Sequence, residues 1–416
     1  MALLILALAA PLVGPCLMAN AAVDEIKEWP LPDSETTDLE TMGIALNGSF
    51  VYFVEYQGNV IGRLDPLTDA LTEWPDGGYP VDIVVNSSLL YLTEWASSIA
   101  SLNPLTNDLT RWAVPDDPSY PDELTLNGTY LYWTEFYNDK VGRLNPKTNT
   151  MIRWNVTAGA APEGIVVNGS FVYFTENYGY RIGRLDTAAN ILTEWDSGTA
   201  HAPYGIVCNG SVLYFTASGK IGRLNPKTNM LTTWNVPTPT SGPGGIVVDG
   251  RYLYFTELFG NKIGRLDPSI DGTSTSITPS TPKTVPTTTT PTPQLLKIIP
   301  LTTILEPTYA VTIPSINPPF TEWPITSSGP SPHGPGPYEI AVGIGSPVYF
   351  TERYYGRIGL LTYLGPQFAV GGEVLQADGL GLLSSFTVPM LSVIVATAAI
   401  VVLTKRRRHS YTDPHL

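Results

Sequence analysis

Cysteine, histidine and positive charge are scarce in this chain of 416 residues. Charged residues make up 14% of the sequence, and 23 Lys and Arg stand against 37 Asp and Glu, for a formal net charge of -14. Because binding to phosphates needs a basic surface, the composition argues against a nucleic-acid partner. The two cysteines are Cys16, in an N-terminal segment that we expect to be removed, and Cys208. No internal disulfide is therefore expected, and stability must come from packing.

Long apolar runs without charge are restricted to the two ends of the chain. Residues 1–21 end in the small-residue pattern Ala19-Asn20-Ala21, which predicts a cleaved signal peptide. Residues 385–404 are long enough to span a bilayer, and Lys405-Arg406-Arg407-Arg408 follows them directly. The positive-inside rule then predicts a single-pass protein of the cell membrane, with a cytoplasmic tail and the bulk of the chain outside the cell.

Between these ends one pattern of roughly forty residues recurs. The copy at Ala161–Trp195, APEGIVVNGSFVYFTENYGYRIGRLDTAANILTEW, contains four short runs of β-branched and aromatic residues separated by turn signals. Such runs predict four antiparallel strands. Since one small sheet cannot bury both of its faces, the copies must pack on one another.

The number of copies predicts the architecture. The second run occurs seven times, and the closing tryptophans are spaced 38 to 45 residues apart except in the last interval, which is the period of a four-stranded propeller blade. We therefore predict an all-β, seven-bladed propeller. The seventh copy lacks a fourth strand, and the orphan strand Glu25–Trp29 is expected to complete that blade and close the ring. The closing tryptophans are Trp29, Trp74, Trp112, Trp154, Trp195, Trp234 and Trp323.

The sixth copy is interrupted by residues 271–319. Their first half is rich in Thr, Ser and Pro, resembles an O-glycosylated stalk and is not expected to form a packed core. The more apolar second half has no predicted place. The predicted organisation is a signal peptide at 1–21, a propeller at 22–361 with an insertion at 271–319, a linker at 362–384, a transmembrane helix at 385–404 and a basic cytoplasmic tail at 405–416.

Strand order assigns the loops to two faces. The first strand of a blade lines the central channel, so the fourth-to-first and second-to-third loops share one face, here called the upper face. The insertion and the chain ends lie at the lower face, so the upper face should point away from the membrane. The chain contains six N-glycosylation sequons. Most of them are also favourable sequences for hairpin turns, so both interpretations, glycosylation and a turn without a glycan, stay open. The sequons are Asn47, Asn86, Asn127, Asn155, Asn168 and Asn209, and all but Asn155 are expected at lower turns.

The repeat P-x-G-I, Y-F-T-E, I-G-R-L, T-E-W resembles the virginiamycin B lyase (streptogramin lyase) family over about residues 22–361, outside the insertion. The resemblance implies a seven-bladed propeller that opens the ester linkage of a cyclic peptide antibiotic by elimination. It also implies Mg²⁺ and a histidine base directly after the Pro of P-H-G-I. This chain has no histidine there; the nearest candidates for a catalytic base are His201 and His333, in upper loops. We align Met42, Asp82, Asp122, Glu163, Tyr204, Gly244 and Tyr338 with that position.

Carboxylates are expected to gather at the upper face. Asp82, Asp122 and Glu163 begin first strands and are candidate ligands of Mg²⁺ or Ca²⁺, which prefer oxygen. Crowding of like charges should raise some of their pKa values. A glutamate ends six of the seven second strands and is interpreted as structural, pairing with the arginine of I-G-R. Tyr204, Tyr338 and Glu176 are candidate contacts of a bound ligand.

Three functions remain open. The leading hypothesis is a membrane-anchored surface module that binds an extracellular ligand or protein through its upper face. The alternative is an enzyme, either a metal-dependent lyase of the streptogramin lyase type or a lactonase or hydrolase acting on an extracellular ester. A third interpretation is a structural component of a cell-envelope layer, with the insertion as a spacer.

Overall fold

The computed structural model contains a seven-bladed β-propeller, as predicted. It lies in the compact unit Asp24–Tyr363; in a second unit, Gln367–Val370 and Glu373–Gln376 form a two-stranded hairpin. Among the described residues, no helix is long and apolar enough to cross a membrane. The predicted signal peptide and the span at 385–404 lie outside those residues. The structure describes residues 24–32, 40–116, 118–198, 200–290, 293–297, 301–304, 308–311, 315–317, 320–326, 334–362, 367–370 and 373–376.

Each blade contains four antiparallel strands in the predicted order. The first strands are Thr41–Asn47, Pro80–Asn86, Pro121–Asn127, Pro162–Asn168, Ile206–Asn209, Pro243–Asp249 and Pro337–Val342. The second are Phe50–Glu55, Leu89–Glu94, Tyr130–Glu135, Phe171–Glu176, Val212–Ala217, Tyr252–Glu257 and Val348–Glu352. The third are Val60–Asp65, Ser98–Asn103, Lys140–Asn145, Arg181–Asp186, Lys220–Asn225, Lys262–Leu266 and Arg357–Thr362. The fourth are Ala70–Pro75, Asp108–Ala113, Thr150–Asn155, Ile191–Asp196, Met230–Asn235, Phe320–Pro324 and Glu25–Pro30.

The N-terminal strand closes the ring as predicted. Glu25–Pro30 pairs antiparallel with Arg357–Thr362, with Trp29 opposite Ile358. The last blade is therefore built from both ends of the propeller segment, so no third strand is left as an open edge.

A tryptophan latch joins neighbouring blades near their outer ends. The indole N–H of Trp154 donates to the side-chain oxygen of Asn190, in the third-to-fourth turn of the next blade, at 2.7 Å. Trp74, Trp112 and Trp195 make the same bond to Asn107, Asn149 and Asn229. These asparagines have φ between 55° and 61°, a left-handed conformation that Asn tolerates, so one residue ends its own turn and receives the neighbouring indole.

Residues 271–319 correct the prediction of a projecting stalk. They add a fifth, outermost strand to every blade, antiparallel to the fourth. A Thr- and Ser-rich sequence can do this because sheet pairing uses backbone hydrogen bonds and needs few buried apolar side chains. We call this segment the belt. Its strands, for blades 1 to 7, are Leu301–Ile304, Pro293–Lys297, Thr287–Thr290, Lys283–Thr284, Thr273–Ser276, Ser315–Asn317 and Thr308–Val311.

Candidate functional site

A second latch, at the inner ends of the blades, positions the upper mouth of the channel. The threonine of Y-F-T-E donates its hydroxyl to the carbonyl of the residue after the first-strand proline in the next blade, as from Thr134 to Glu163 at 2.7 Å and from Thr175 to Tyr204 at 2.6 Å. The same pattern recurs in six blades. In blade 1 the position holds Val54, which has no hydroxyl. The P-x-G-I residues therefore form one ring around the channel.

The ring corrects the placement of Asp82. The backbone N–H of Asp82 donates to the hydroxyl oxygen of Thr93. In the next two blades the equivalent bonds run from the N–H of Glu123 to Thr134 and from the N–H of Gly164 to Thr175. Asp82 thus stands at the glycine position of P-x-G-I, and Val81, which is buried, stands at the x position. Counting residues from Pro80 would have found this.

Three carboxyls occupy the glycine position, and two of them were missed. They are Asp82, Glu123 and Glu339, next to the predicted Asp122 and Glu163 at the x position. The signal was present in the sequence, because P-D-E-L and P-Y-E-I replace the glycine of P-x-G-I with glutamate. The channel therefore holds five carboxyls near its mouth.

Burial and mutual repulsion shift the protonation of these groups. Burial raises the pKa of Asp82 and of Asp122 to about 7. The pKa values of Glu123, Glu163 and Glu339 are raised well above the usual range, first by burial and then by repulsion from neighbouring carboxylates. At neutral pH the channel therefore holds both protonated and ionised carboxyls, which can donate as well as accept hydrogen bonds.

A cavity of about 490 Å³ opens above this ring. Asp122, Glu163, Tyr204 and Tyr338 lie at its floor. The two tyrosine hydroxyls are hydrogen-bonded to each other across the channel, with ring centroids 6.0 Å apart. Burial raises the pKa of both hydroxyls well above the usual value, so they stay protonated. The predicted ligand contacts Tyr204 and Tyr338 are thus both placed at the cavity.

Arg353 lines the same cavity. Its guanidinium is 5.0 Å from the ring centroid of Tyr338 and 3.1 Å from a carboxylate oxygen of Glu40. The positive charge of Arg353 also lowers the pKa of Asp122, an effect smaller than the rise caused by burial.

Aromatic side chains form the wall of the cavity over blades 1 to 3. Tyr56, Trp95, Phe136 and Tyr137 line it. They belong to a continuous series of ring contacts, 4.9 to 5.6 Å between centroids, from Tyr79 through Tyr56, Trp95, Tyr120, Tyr137 and Phe136 to Tyr178. The indole N–H of Trp95 is buried and has no hydrogen-bond partner among the described residues.

The wall comes from the second-to-third loops, directly after the glutamate that ends the second strand, as in Glu55-Tyr56 and Glu94-Trp95. The signal that distinguishes this set is its place one or two residues beyond T-E, where the strand has ended and the side chain is free to face the channel mouth.

The rim contains backbone strain. The residue before the proline of P-x-G-I, or before Thr41 in blade 1, has a positive φ in all seven blades. These residues are Glu40, Tyr79, Tyr120, Ala161 and Ala202, with φ of 47° to 59°, and Gly242 and Gly336, with φ of 58°. Glycine adopts this conformation without a steric penalty, whereas the other residues adopt it at a cost in energy. Because the conformation recurs in every blade, it is a feature of the repeat.

The described positions of the carboxyls give no support to the expected metal site. Both oxygens of Asp82 already accept backbone N–H groups, from Ile83 at 2.7 Å and from Leu124 at 2.8 Å. Among the described residues, no group of three or more His, Cys, Asp or Glu is arranged to hold a metal ion. Binding of Mg²⁺ or Ca²⁺ by Asp82, Asp122 and Glu163 stays a prediction, and no chemical step is derived from it.

The remaining predicted site residues lie away from the cavity or outside the described residues. His201 is exposed and packs edge-on against Tyr180 at 5.3 Å; it does not line the cavity. His333 lies outside the described residues. Glu176 is fully buried and accepts a 2.6 Å bond from Arg181, so its carboxylate is committed within the blade.

The other second-strand glutamates are structural, as interpreted, but with different partners. Glu94 pairs with Arg111 at 2.9 Å, and Glu135 accepts a 2.7 Å bond from Arg153; both arginines lie in fourth strands. The I-G-R arginines instead lie over aromatic rings, as Arg184 does over Phe171 at 4.7 Å. The predicted pairing between the two sets is therefore wrong.

Comparison with known proteins agrees with this geometry. The sequence model of the virginiamycin B lyase family matches residues 96–294. No curated protein sequence gives a match. Virginiamycin B lyase from Staphylococcus aureus has 21% identity and a TM-score of 0.62, covering 82% of this chain and 99% of that one. A streptogramin B lyase structure has 22% identity and a TM-score of 0.61, covering 82% and 98%.

A third structure is a catalytically inactive histidine-to-alanine variant of the Staphylococcus aureus enzyme with quinupristin, at 22% identity and a TM-score of 0.60, covering 82% of this chain and 100% of that one. Identities this low establish the fold. The fold is therefore that of a seven-bladed β-propeller, and residues 96–294 are similar in sequence to the virginiamycin B lyase family.

Proposed function

We propose that this protein is a binding module that captures an extracellular ligand in the upper cavity, with residues 385–404 anchoring it to the cell membrane. The observation that carries the proposal is the combination of an acidic floor and an aromatic wall in one open cavity. Concave sites with a few convergent polar groups are the usual form of ligand sites.

The chemistry of the lining points to an organic cation as the ligand. Asp122 and Glu163 at the floor favour a positively charged group, because a bound cation stabilises their ionised forms, which burial disfavours. The rings of Tyr56 and Trp95 offer the faces on which amines and guanidinium groups bind by cation–π attraction. A basic peptide side chain or an amine therefore fits the site.

The test is a titration followed by intrinsic tryptophan fluorescence and calorimetry, with arginine- and lysine-containing peptides and with spermidine as probes. We expect saturable binding that falls at least about tenfold in Asp122→Asn with Glu163→Gln, because each lost charge pair in a partly buried site is worth a kcal/mol or more. Asp249→Asn, which changes a lower-face turn, serves as the matched control. Equal affinity in the double variant and in the control would contradict the proposal.

Separate titrations with Mg²⁺ and Ca²⁺ test the predicted inorganic cation at Asp82, Asp122 and Glu163. A ligand present at 100 times its dissociation constant adds about 2.7 kcal/mol to the stability of the folded state. Thermal unfolding with each ion and after chelation measures this directly, and an unchanged midpoint would remove the metal site.

The second candidate is a lyase of the streptogramin lyase type. The observation in its favour is that the Asp122 carboxyl, with a pKa raised to about 7, lines the cavity at the ring position where the family has its histidine. A general base works best when its pKa is near the operating pH. Incubation with an ester-linked cyclic peptide antibiotic tests this: elimination gives a linear product of unchanged mass, whereas hydrolysis adds one water. A starting material that remains intact would rule the candidate out.

A further inference from the structure

The belt makes a complete circuit of the propeller. Leaving the third strand of blade 6, it pairs in turn with blades 5, 4, 3, 2, 1 and 7, and returns to the fourth strand of blade 6. Every pairing is antiparallel to a fourth strand. The belt is therefore paired with the blades on both sides of every boundary.

The register advances by seven residues for each blade. In each blade we compare the belt residue that pairs with the residue just before the closing tryptophan. These belt residues are Thr273, Gln294, Leu301, Thr308 and Ser315, in blades 5, 2, 1, 7 and 6. In blade 4 the N–H of Ser280 donates to the carbonyl of Glu194 at the same level. Blade 3 is displaced by one residue, with Thr288 opposite Arg153.

The sequence has a matching repeat. A proline stands at every seventh position through the belt, at Pro279, Pro286, Pro293, Pro300, Pro307 and Pro314. In an outermost strand proline is tolerated, since its missing N–H can face solvent, and it discourages pairing with a further strand. Seven residues for each of seven blades is the length that one turn around this ring requires.

Sheet twist explains why one chain can serve all seven edges. Adjacent strands in a sheet rotate by roughly 20–25°, so four steps turn the fifth strand by roughly 80–100° from the first. Since first strands follow the channel axis, fifth strands follow the circumference. A belt strand can therefore pass from one blade to the next without reversing.

Specific contacts fasten the belt where its side chains are described. The N–H groups of Ile277 and Val285 donate to the carbonyls of Asn229 and Asn190, both at 2.9 Å. Val285 is buried against the core between blades 3 and 4, and Lys283 lies 3.1 Å from Glu194. The belt is thus held by backbone pairing at every blade and by side chains at intervals.

We propose that the belt is a second closure of the ring and a cap on its edges. The N-terminal strand closes one blade, whereas the belt ties every blade to the next, so no two blades separate unless belt strands are stripped from both. It also covers seven fourth-strand edges that would otherwise be available for pairing with another chain. The belt adds kinetic stability and keeps the propeller monomeric at a surface.

The first test removes the belt. Residues 269–319 are replaced by Lys-Thr-Asn-Thr, the sequence that joins third and fourth strands in blade 3, so that blade 6 regains an ordinary turn and an asparagine for Trp234. In the full chain, we expect the same far-UV circular dichroism in the propeller, unfolding in guanidinium at least about tenfold faster, and concentration-dependent self-association in sedimentation analysis. Unfolding at the parental rate by a monomeric variant would overturn the proposal.

The second test cuts the belt after the protein has folded. It can therefore test the closure even if the variant that lacks the belt does not fold. A protease recognition sequence is inserted between Thr290 and Pro293. The matched control carries the same sequence in the third-to-fourth turn of blade 5, between Lys227 and Thr228, so each protein receives one cut. Faster unfolding after cutting the belt than after cutting the control supports the closure; equal rates would refute it.

Discussion

At the scale of single residues, Asp122 and Glu163 fill equivalent positions of adjacent blades, where the latch from Thr134 brings blades 3 and 4 together. Burial raises both pKa values, and the positive charge of Arg353 offsets only part of that rise at Asp122. Such groups keep a proton in the folded protein at pH values where the unfolded chain has lost it. The site therefore links protonation to stability as well as to binding.

The first prediction concerns this linkage. A raised carboxyl pKa contributes stability that is fully present below the unfolded value near 4 and is lost as the pH rises to about 7. We expect the free energy of unfolding, followed by thermal unfolding, to fall from pH 4.5 to 7.5. Asp122→Asn should remove part of that loss, on the order of 2 kcal/mol. Asp249→Asn should leave the slope unchanged. A parental slope in Asp122→Asn would show that this carboxyl is ionised throughout.

The second prediction concerns the sequons. The side-chain amides of Asn47, Asn127 and Asn168 donate to backbone carbonyls in the turn of the next blade, at 2.7 to 3.3 Å, so a glycan on that nitrogen would displace the bond. Such bonds are not among the contacts of Asn155 or Asn209, both exposed. If the protein is glycosylated, we expect peptide mapping to find higher occupancy at Asn155 and Asn209. Full occupancy at Asn168 would contradict this.

At the scale of elements, the glycine of I-G-R is explained by the aromatic residue of the second strand beside it. A Cβ on Gly183 would come within 2.3 Å of the Phe174 ring, and Gly142 has the same relation to Trp133. In blade 2 the pair is Leu92 and Ala100 instead. Where the third strand has alanine in place of glycine, the second strand therefore has leucine in place of the aromatic residue.

The third prediction uses that internal comparison. Gly183→Ala alone should destabilise the propeller by about 1–3 kcal/mol, because the added methyl overlaps a fully buried ring. Adding Phe174→Leu should recover much of the loss by reproducing the blade 2 pair. Thermal unfolding of both single variants and the double variant measures the coupling. Additive losses would show that the two residues do not share space.

At the scale of the whole molecule, the propeller forms one compact unit, Asp24–Tyr363, and a second unit consists of Met1–Val23 and Leu364–Leu416, which includes the predicted anchor. The described strands of the seven blades all lie within Asp24–Tyr363. A secreted form that ends before residue 385 should therefore keep all seven blades.

The fourth prediction tests the anchor. The full chain expressed in cells should sediment with membranes, and a chain ending at residue 384 should be released in folded form, because a charge-free run of this length partitions into the bilayer. N-terminal sequencing should find Ala22 as the first residue. A full chain that is recovered without membranes would contradict both the anchor and the proposed location of the upper face.

Much of the fold was determined by the sequence alone. Blade number, strand order, ring closure and the upper position of Tyr204 and Tyr338 follow from local turn chemistry and from alternating apolar residues that repeat with every copy. Such signals act over a few residues, and repetition averages out their individual weakness. The resemblance carried by P-x-G-I and Y-F-T-E rested on the same repeats.

The tertiary structure alone decided the site and the belt. The hydroxyls of Tyr204 and Tyr338 meet across the channel although 134 residues separate them, and the aromatic wall joins loops of three blades. The belt lacks the apolar alternation that predicts strands, and its proline repeat acquires meaning only beside seven edges of matching spacing. Its conformation is set by backbone hydrogen bonds to distant strands, which no local pattern of side chains specifies.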